Sequence, residues 1–296
     1  SLDCTDFAVW YIFRFMEEQS QPLARVLHWS FNHDNRQQSP HFANQLLKTL
    51  SRLSPTASAA SEPGVHYLVL PNFWRGYRAS GGLSGDQVDL SIGNISIASQ
   101  QIDRDQWRYS VRSLNTISGE DMQLTFSCAD EVTRPLIDHW QIEVSNGAQH
   151  GYRRFRASGY LASHQAGMQV MLVTNDMPLP IDAIDQNQSL TCNWALFDVI
   201  PNLSDQLKQT NEPVTLTVFE DLEKVRRNAR LGFLEEWTLE IADREPLQLS
   251  GYHLHGDGLV PSYWWVDDQG RVLLVSTIFQ TWVLSSYGDS GSTVTD

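Results

Sequence analysis

Cysteine is scarce in this chain: Cys4, Cys128 and Cys192 are all there is. No CxxC pair or other short spacing is present, which excludes a zinc knuckle and a dithiol redox motif. A Cys128 to Cys192 disulfide stands open beside the alternative of buried or free thiols. At Cys4, the preceding Leu2-Asp3 puts an acid where a lipobox needs a small neutral residue, so lipid attachment is not expected there. Positive charge is short as well, 21 Lys and Arg against 35 Asp and Glu, a net charge of −14. That balance excludes a broad phosphate-gripping surface, so no nucleic-acid partner is expected. The basic clusters Arg153/Arg154/Arg156 and Arg226/Arg227/Arg230 read as solvated faces balanced by acids, Glu220, Asp221 and Glu223 for the second.

Long apolar runs are missing too. Phe7 to Phe13 is the longest and Arg14 ends it, far below the ~20 residues that cross a bilayer as a helix. No transmembrane segment is expected, and no targeting segment is readable. Catalytic signatures are equally absent: there is no GxSxG, HExxH, P-loop or dinucleotide fingerprint. Gly81-Gly-Leu-Ser-Gly85 is glycine-rich, but it reads as a loop between strands with no following helix to hold a phosphate.

Apolar and aromatic residues are plentiful. With 296 residues, 41% of them hydrophobic, and ten tryptophans and twelve phenylalanines, the chain can bury a large core. The aromatics suit both cross-strand packing and contact with an apolar ligand. Residues 5–18 read as a helix apolar nearly all round, which something must cover. Ser39 and Pro40 start a second helix carrying Phe42, Leu46, Leu47, Leu50 and Leu53. Residues 1–54 therefore read as an N-terminal helical segment packing on a sheet, followed by a Ser/Ala-rich linker up to Pro63-Gly64.

From Val65 the hydrophobic period changes to two. Strands are predicted at 65–70, 88–98, 106–114, 121–127, 139–145, 155–161, 168–174, 214–219, 234–241, 247–255, 262–267 and 271–284. The fold class this implies is mainly β, an antiparallel meander over 65–284 curled into a sandwich or barrel-like sheet, with short helices near Trp194 to Leu203 and Leu222 to Arg230. Tyr263 to Val275 reads as a hairpin, Gly270 taking the positive φ of its turn. Ser285 to Asp296 is polar with nothing to bury and reads as a disordered tail. One phrase occurs twice, Leu124-Thr-Phe, Trp140-Gln-Ile-Glu-Val144 and Ser158-Gly-Tyr160 against Leu216-Thr-Val, Trp237-Thr-Leu-Glu-Ile241 and Ser250-Gly-Tyr252. The spacings differ, so the segments 122–160 and 214–252 read either as an internal repeat or as coincidence in a β-rich chain.

Two constellations offer chemistry. His253-Leu-His255-Gly-Asp257 puts both imidazoles on one strand face with a carboxylate nearby, a ligand set suited to zinc or iron. The competing reading is a strand end followed by a turn, since Gly256 and Gly258 bend the backbone at once. The spacing is similar to the HxHxD of metallo-β-lactamase enzymes, whose layered α/β fold and downstream ligands have no counterpart in this sequence. Glu143 and Glu240 occupy matching places in the repeated phrase. A pseudo-symmetric fold could bring them together as the two acids of a glycoside hydrolase, against the plainer reading of a solvent-facing strand side.

A helical start, a long strand meander and a Trp-rich closing hairpin are together similar to uncharacterised β-rich proteins of bacterial cell envelopes, including lipoprotein-carrier-like ones. That resemblance covers architecture alone; it implies a cell-envelope or periplasmic setting and identifies no site residue. The function it leaves in front is a non-catalytic binding protein holding an apolar, lipid-like or amphipathic small molecule, or a protein partner, on a curved sheet. The alternatives are a metal-dependent or carboxylate-based hydrolase and a structural assembly module. No cofactor is specified by these residues.

Overall fold

The computed structural model describes residues 64–71, 91–146, 153–164, 167–185, 188–239, 246–277 and 280–288. The first meander comprises β1 (Gly64–Pro71), β2 (Gly93–Asp103), β3 (Gln106–Asn115), β4 (Glu120–Ala129), β5 (Leu136–Asn146), β6 (Arg153–His164), β7 (Gly167–Thr174) and β8 (Met177–Asp185). After a short β9 (Leu190–Cys192), a 3-10 turn at Asn193–Ala195 leads into α1 (Leu196–Thr210). The second meander is β10 (Val214–Glu220), β11 (Lys224–Leu239), β12 (Leu247–Gly256), β13 (Leu259–Asp267), β14 (Val272–Thr277) and β15 (Gln280–Gly288).

All fifteen strands form one sheet in the order β8 to β1, then β15 down to β9. Pairing is antiparallel throughout except between β9 and β10. First and last strands thus meet at the centre of the sheet, and β8 and β9, consecutive in sequence, form its two edges. Laid flat at ordinary strand spacing the sheet would be roughly 65 Å wide. Yet only residues 186–189 join β8 to β9, a stretch that reaches at most about 18 Å. The sheet must roll up. The seam carries the contacts this demands: Arg227 of β11 is salt-bridged to Asp182 of β8, and Pro135, just before β5, makes an antiparallel bridge with Thr191 of β9. The result is a single, nearly closed, barrel-like sheet instead of the two sheets of a sandwich.

The predicted period-two alternation sets the inside. Ile95 and Ile97, Leu124 and Phe126, and Trp140 and Ile142 are buried, while Asn94, Thr125 and Gln141 between or beside them are exposed. α1 fills the lumen. Its Phe197 ring lies 5.0 Å from Tyr67 and 5.0 Å from Trp264, its Asp198 accepts a 2.5 Å hydrogen bond from Tyr109, and its Ser204 bonds the Tyr252 hydroxyl. Across the lumen Trp140 packs edge-on against Phe219 at 5.1 Å. Under Trp140 lies Gly159, where any Cβ would stand 2.3 Å from the indole.

Several expectations are corrected. Leu222 to Arg230 is no helix: Asp221 and Leu222 take φ of 50° and 57° to reverse the chain, and β11 starts at Lys224. The charged, helix-favouring sequence yields to ladder pairing with β10, Val225 opposite Phe219, and to burial of Ala229 and Leu231 on one face. The stretch 271–284 is two strands, and Ser285 to Gly288 belong to β15, paired with β1, so the disordered tail does not begin at 285. β8 and β9 are strands the sequence reading omits. The hairpin holds as expected. Gly270 has φ 75°, and Asp267 accepts hydrogen bonds from Gln269 N at 3.0 Å, Arg271 N at 2.8 Å and Arg271 Nε at 2.7 Å. The helices expected within 1–54, the linker and residues 289–296 lie outside the described residues.

The described parts of both copies of the repeated phrase fall on consecutive antiparallel strands, β4 to β6 and β10 to β12; Glu240 and Ile241 lie outside the described residues. The registers of the two copies differ: Trp140 stands opposite Gly159, whereas Trp237 stands opposite Leu249 and Gly251 faces Glu235.

Candidate functional site

Three tryptophans from distant segments converge at one end of the lumen. Trp194 arrives on the 3-10 turn that carries the chain from β9 into α1, Trp264 on β13 and Trp282 on β15. Trp194 stacks on Trp282 with ring centroids 5.6 Å apart and planes 7° apart, and Phe197 stacks on Trp282 at 6.0 Å. The Trp264 indole donates to Ser262 Oγ at 2.8 Å. Among the described residues, the buried indole N–H groups of Trp194 and Trp282 have no hydrogen-bond partner, and Trp194 is 4% exposed. Among the same residues, Trp140 and Trp265 also carry such a donor.

Beside this cluster opens a cavity of about 450 Å³, inside the range of about 300–1,000 Å³ typical of small-molecule sites. Its apolar wall includes Val69, Ile95, Met122, Val218, Leu254 and Val275, contributed by six strands. Its polar rim includes Glu120, Asn193, Glu220 and Asp221. Glu220 is ion-paired with Arg226 at 2.7 Å. Asn193 donates to the Asp221 carboxylate at 3.0 Å and accepts from the Asp221 backbone N–H at 3.0 Å, tying the β10–β11 turn to the 3-10 turn. Asp221 is partly open to solvent, yet desolvation by the surrounding wall raises its pKa, against the Asn193 hydrogen bond; the Trp194 indole stands near enough to pull it down without meeting hydrogen-bond geometry.

A second polar cluster lies between the helix and β3, where Asp198 meets Tyr109. Burial raises the pKa of Asp198, opposed by the Tyr109 hydrogen bond and by Arg134. Tyr109 is pushed far up by its own burial, with Asp198 adding to it. Arg134, 8% exposed, ion-pairs with Asp130 and stacks 4.5 Å over the Trp107 ring, and its carbonyl accepts from Thr191 Oγ1 at 3.2 Å. Cys128 and Cys192 are both free and buried, their thiols pushed up by desolvation.

The residues singled out from sequence sit elsewhere. Tyr252 and Leu254 of β12 point into the lumen, so His253 and His255 share the outer face, their rings stacked at 5.2 Å. His253 covers Gly232, and burial followed by the neighbouring His255 lowers its pKa. Asp257 lies in the turn between β12 and β13. Among the described residues no group of three or more His, Cys, Asp and Glu side chains is arranged to hold a metal ion. Glu143 is on the outer face of β5, gripped by Arg154 and by Arg156 at 2.6 Å; its pKa is lowered by Arg156 first and then Arg154. Glu240 lies outside the described residues, so its distance from Glu143 is not defined. Of the basic clusters, Arg154 and Arg156 pair with Glu143 and Arg226 with Glu220, while Arg227 finds its acid across the seam at Asp182. Among the described residues no helix is long and apolar enough to cross a membrane.

No family model and no curated protein matches the chain. Among solved structures, the chain is similar to a β-barrel-like protein of the domain of unknown function DUF1849 from Brucella abortus. The identity is 8% and the TM-score 0.44, over 75% of this chain and 94% of that one. It is also similar to a DUF1089 family protein from Pseudomonas aeruginosa, at 14% identity and TM-score 0.32, over 65% of this chain and 94% of that one.

Proposed function

We propose that this protein is a non-catalytic binding protein whose lumen holds an apolar or amphipathic small molecule against Trp194, Trp264 and Trp282. The observation that carries the reading is the cavity of about 450 Å³ beside the stacked Trp194/Trp282 pair, whose lining joins aliphatic side chains to polar ones, Glu120, Asn193 and Asp221 among them. Such a mixed lining suits a ligand with one apolar part and one polar part. The buried indole N–H of Trp282, without an acceptor among the described residues, adds to it, since an unmet buried donor costs about 1–3 kcal/mol. A hydrolase built on Glu143 has less support, because two arginines hold that carboxylate ionised and engaged.

The test is a titration with an uncharged amphiphile, decyl glucoside, below its micelle concentration, read by intrinsic tryptophan fluorescence. Saturable change in the wild type, lost in a Trp282→Leu variant whose circular dichroism is unchanged, is the expected result. An unsaturable response identical in both proteins overturns the reading.

A further inference from the structure

The rim of the cavity has one sign of charge. Glu120, Glu220 and Asp221 line it, and the described lining includes no Lys, Arg or His. Arg226 neutralises Glu220 from outside the lining, and among the described residues Glu120 and Asp221 have no ion-pair partner. The pair of stacked indoles lies in the same lining, and an indole face is the strongest side-chain partner for a cation. Resting on the reading of the cavity as a ligand site, we infer that the ligand is a cationic amphiphile: an aliphatic chain against Val69, Val218 and Leu254, and an ammonium group between the tryptophans and the Glu120/Asp221 rim.

Each part of this ligand answers a separate feature. The aliphatic wall is shared by any lipid-like molecule and sets no charge. The rim does, because an anionic head placed near the Glu120 and Asp221 carboxylates meets like-charge repulsion. A cation there gains attraction from both carboxylates and from the indole faces. The buried indole N–H of Trp282, which has no partner among the described residues, adds a place for an oxygen acceptor next to the ammonium, such as a hydroxyl or ester. The protein's net charge of −14 draws the same sign of ligand toward the cavity.

The experiment compares decyltrimethylammonium, decyl glucoside and decanoate, one chain length with three head charges, each below its micelle concentration. Tryptophan fluorescence and calorimetry give the affinities. The ammonium is expected to bind about tenfold more tightly than the glucoside, as two partly exposed carboxylates allow, and decanoate more weakly still. Glu120→Gln with Asp221→Asn should bring the ratio of ammonium to glucoside affinity down to about one, and an unchanged ratio overturns the cationic assignment. In the wild type, rising salt should weaken the ammonium and leave the glucoside unchanged, a readout that needs no variant. Equal affinities for all three, or preference for decanoate, overturn the cationic assignment and leave the cavity as a ligand site. Failure of all three to bind overturns the binding reading itself.

Discussion

Alanine in place of Gly159 should destabilise the fold by an amount the geometry makes specific. The new Cβ would stand 2.3 Å from Cε2 and Cζ2 of Trp140 and 2.5 Å from the Met171 carbonyl oxygen. Neither neighbour yields easily. Trp140 is 1% exposed and wedged edge-on against Phe219, and the carbonyl belongs to the β6–β7 ladder. Overpacking of a tight core costs about 1–3 kcal/mol, and a clash with two stiff groups belongs at the upper end. For a domain this large, about 2–3 kcal/mol lowers Tm by roughly 4–12 °C. Gly251, the counterpart of Gly159 in the repeated Ser-Gly-Tyr phrase, supplies the control. A Cβ there meets the Glu235 oxygen at 3.4 Å and Trp265 Nε1 at 3.5 Å, ordinary contact. Gly251→Ala should be within about 0.5 kcal/mol of wild type, since the methyl restricts the unfolded chain without a clash. Urea unfolding followed by near-ultraviolet circular dichroism measures both. Equal costs for the two substitutions, or a Gly159→Ala within error of wild type, would refute the packing argument.

Three further outcomes follow from named contacts. Asp198 has a folded pKa raised above its ordinary 3.8 by burial. The folded state therefore binds its proton more tightly than the unfolded chain, and this contribution to stability is lost as pH rises from about 4 through the folded pKa. Asp198→Asn should remove that fall, seen as the difference between wild-type and variant stability against pH; an identical pH profile would contradict it. Cys128 and Cys192, buried with raised pKa, should resist iodoacetamide at mildly alkaline pH in the native protein and react fully in denaturant, as mass spectrometry of the peptides would record. Asp267 is 6% exposed and accepts from two backbone amides and Arg271. Asp267→Ala should cost about 2–4 kcal/mol in chemical unfolding, because it strands the turn amides and leaves Arg271 without its carboxylate.

The sheet was readable wherever local chemistry and global pairing agree. Ile95/Ile97 and Leu124/Phe126 alternate cleanly, and the Asp267 to Gly270 turn carries its own hydrogen-bond chemistry, so strands and hairpin follow from a few residues. Leu222 to Arg230 misleads because its residues favour a helix, while ladder pairing with β10 just before it and with the more distant β12 overrides that preference. β8 hides behind Pro178 and Pro180, tolerated only because β8 is an edge, and β9 is a three-residue strand. The cavity was not readable at all. Trp194, Trp264 and Trp282 signal an aromatic-rich chain, and only the rolled sheet and the lumenal helix make them neighbours. His253 and His255 drew notice by being close in sequence, yet they lie on the outer face.

The measurement that bears most directly on the lumen as a ligand site is a native mass spectrum of the purified protein, recorded before and after chelator and again on a Trp194→Ala/Trp282→Ala variant. A small organic adduct, or uptake of added decyltrimethylammonium at one equivalent, unaffected by chelator and absent from the variant, is the predicted result. A chelator-removable mass matching zinc or iron and dependent on His253 and His255, with no organic uptake by the wild type, would contradict the account.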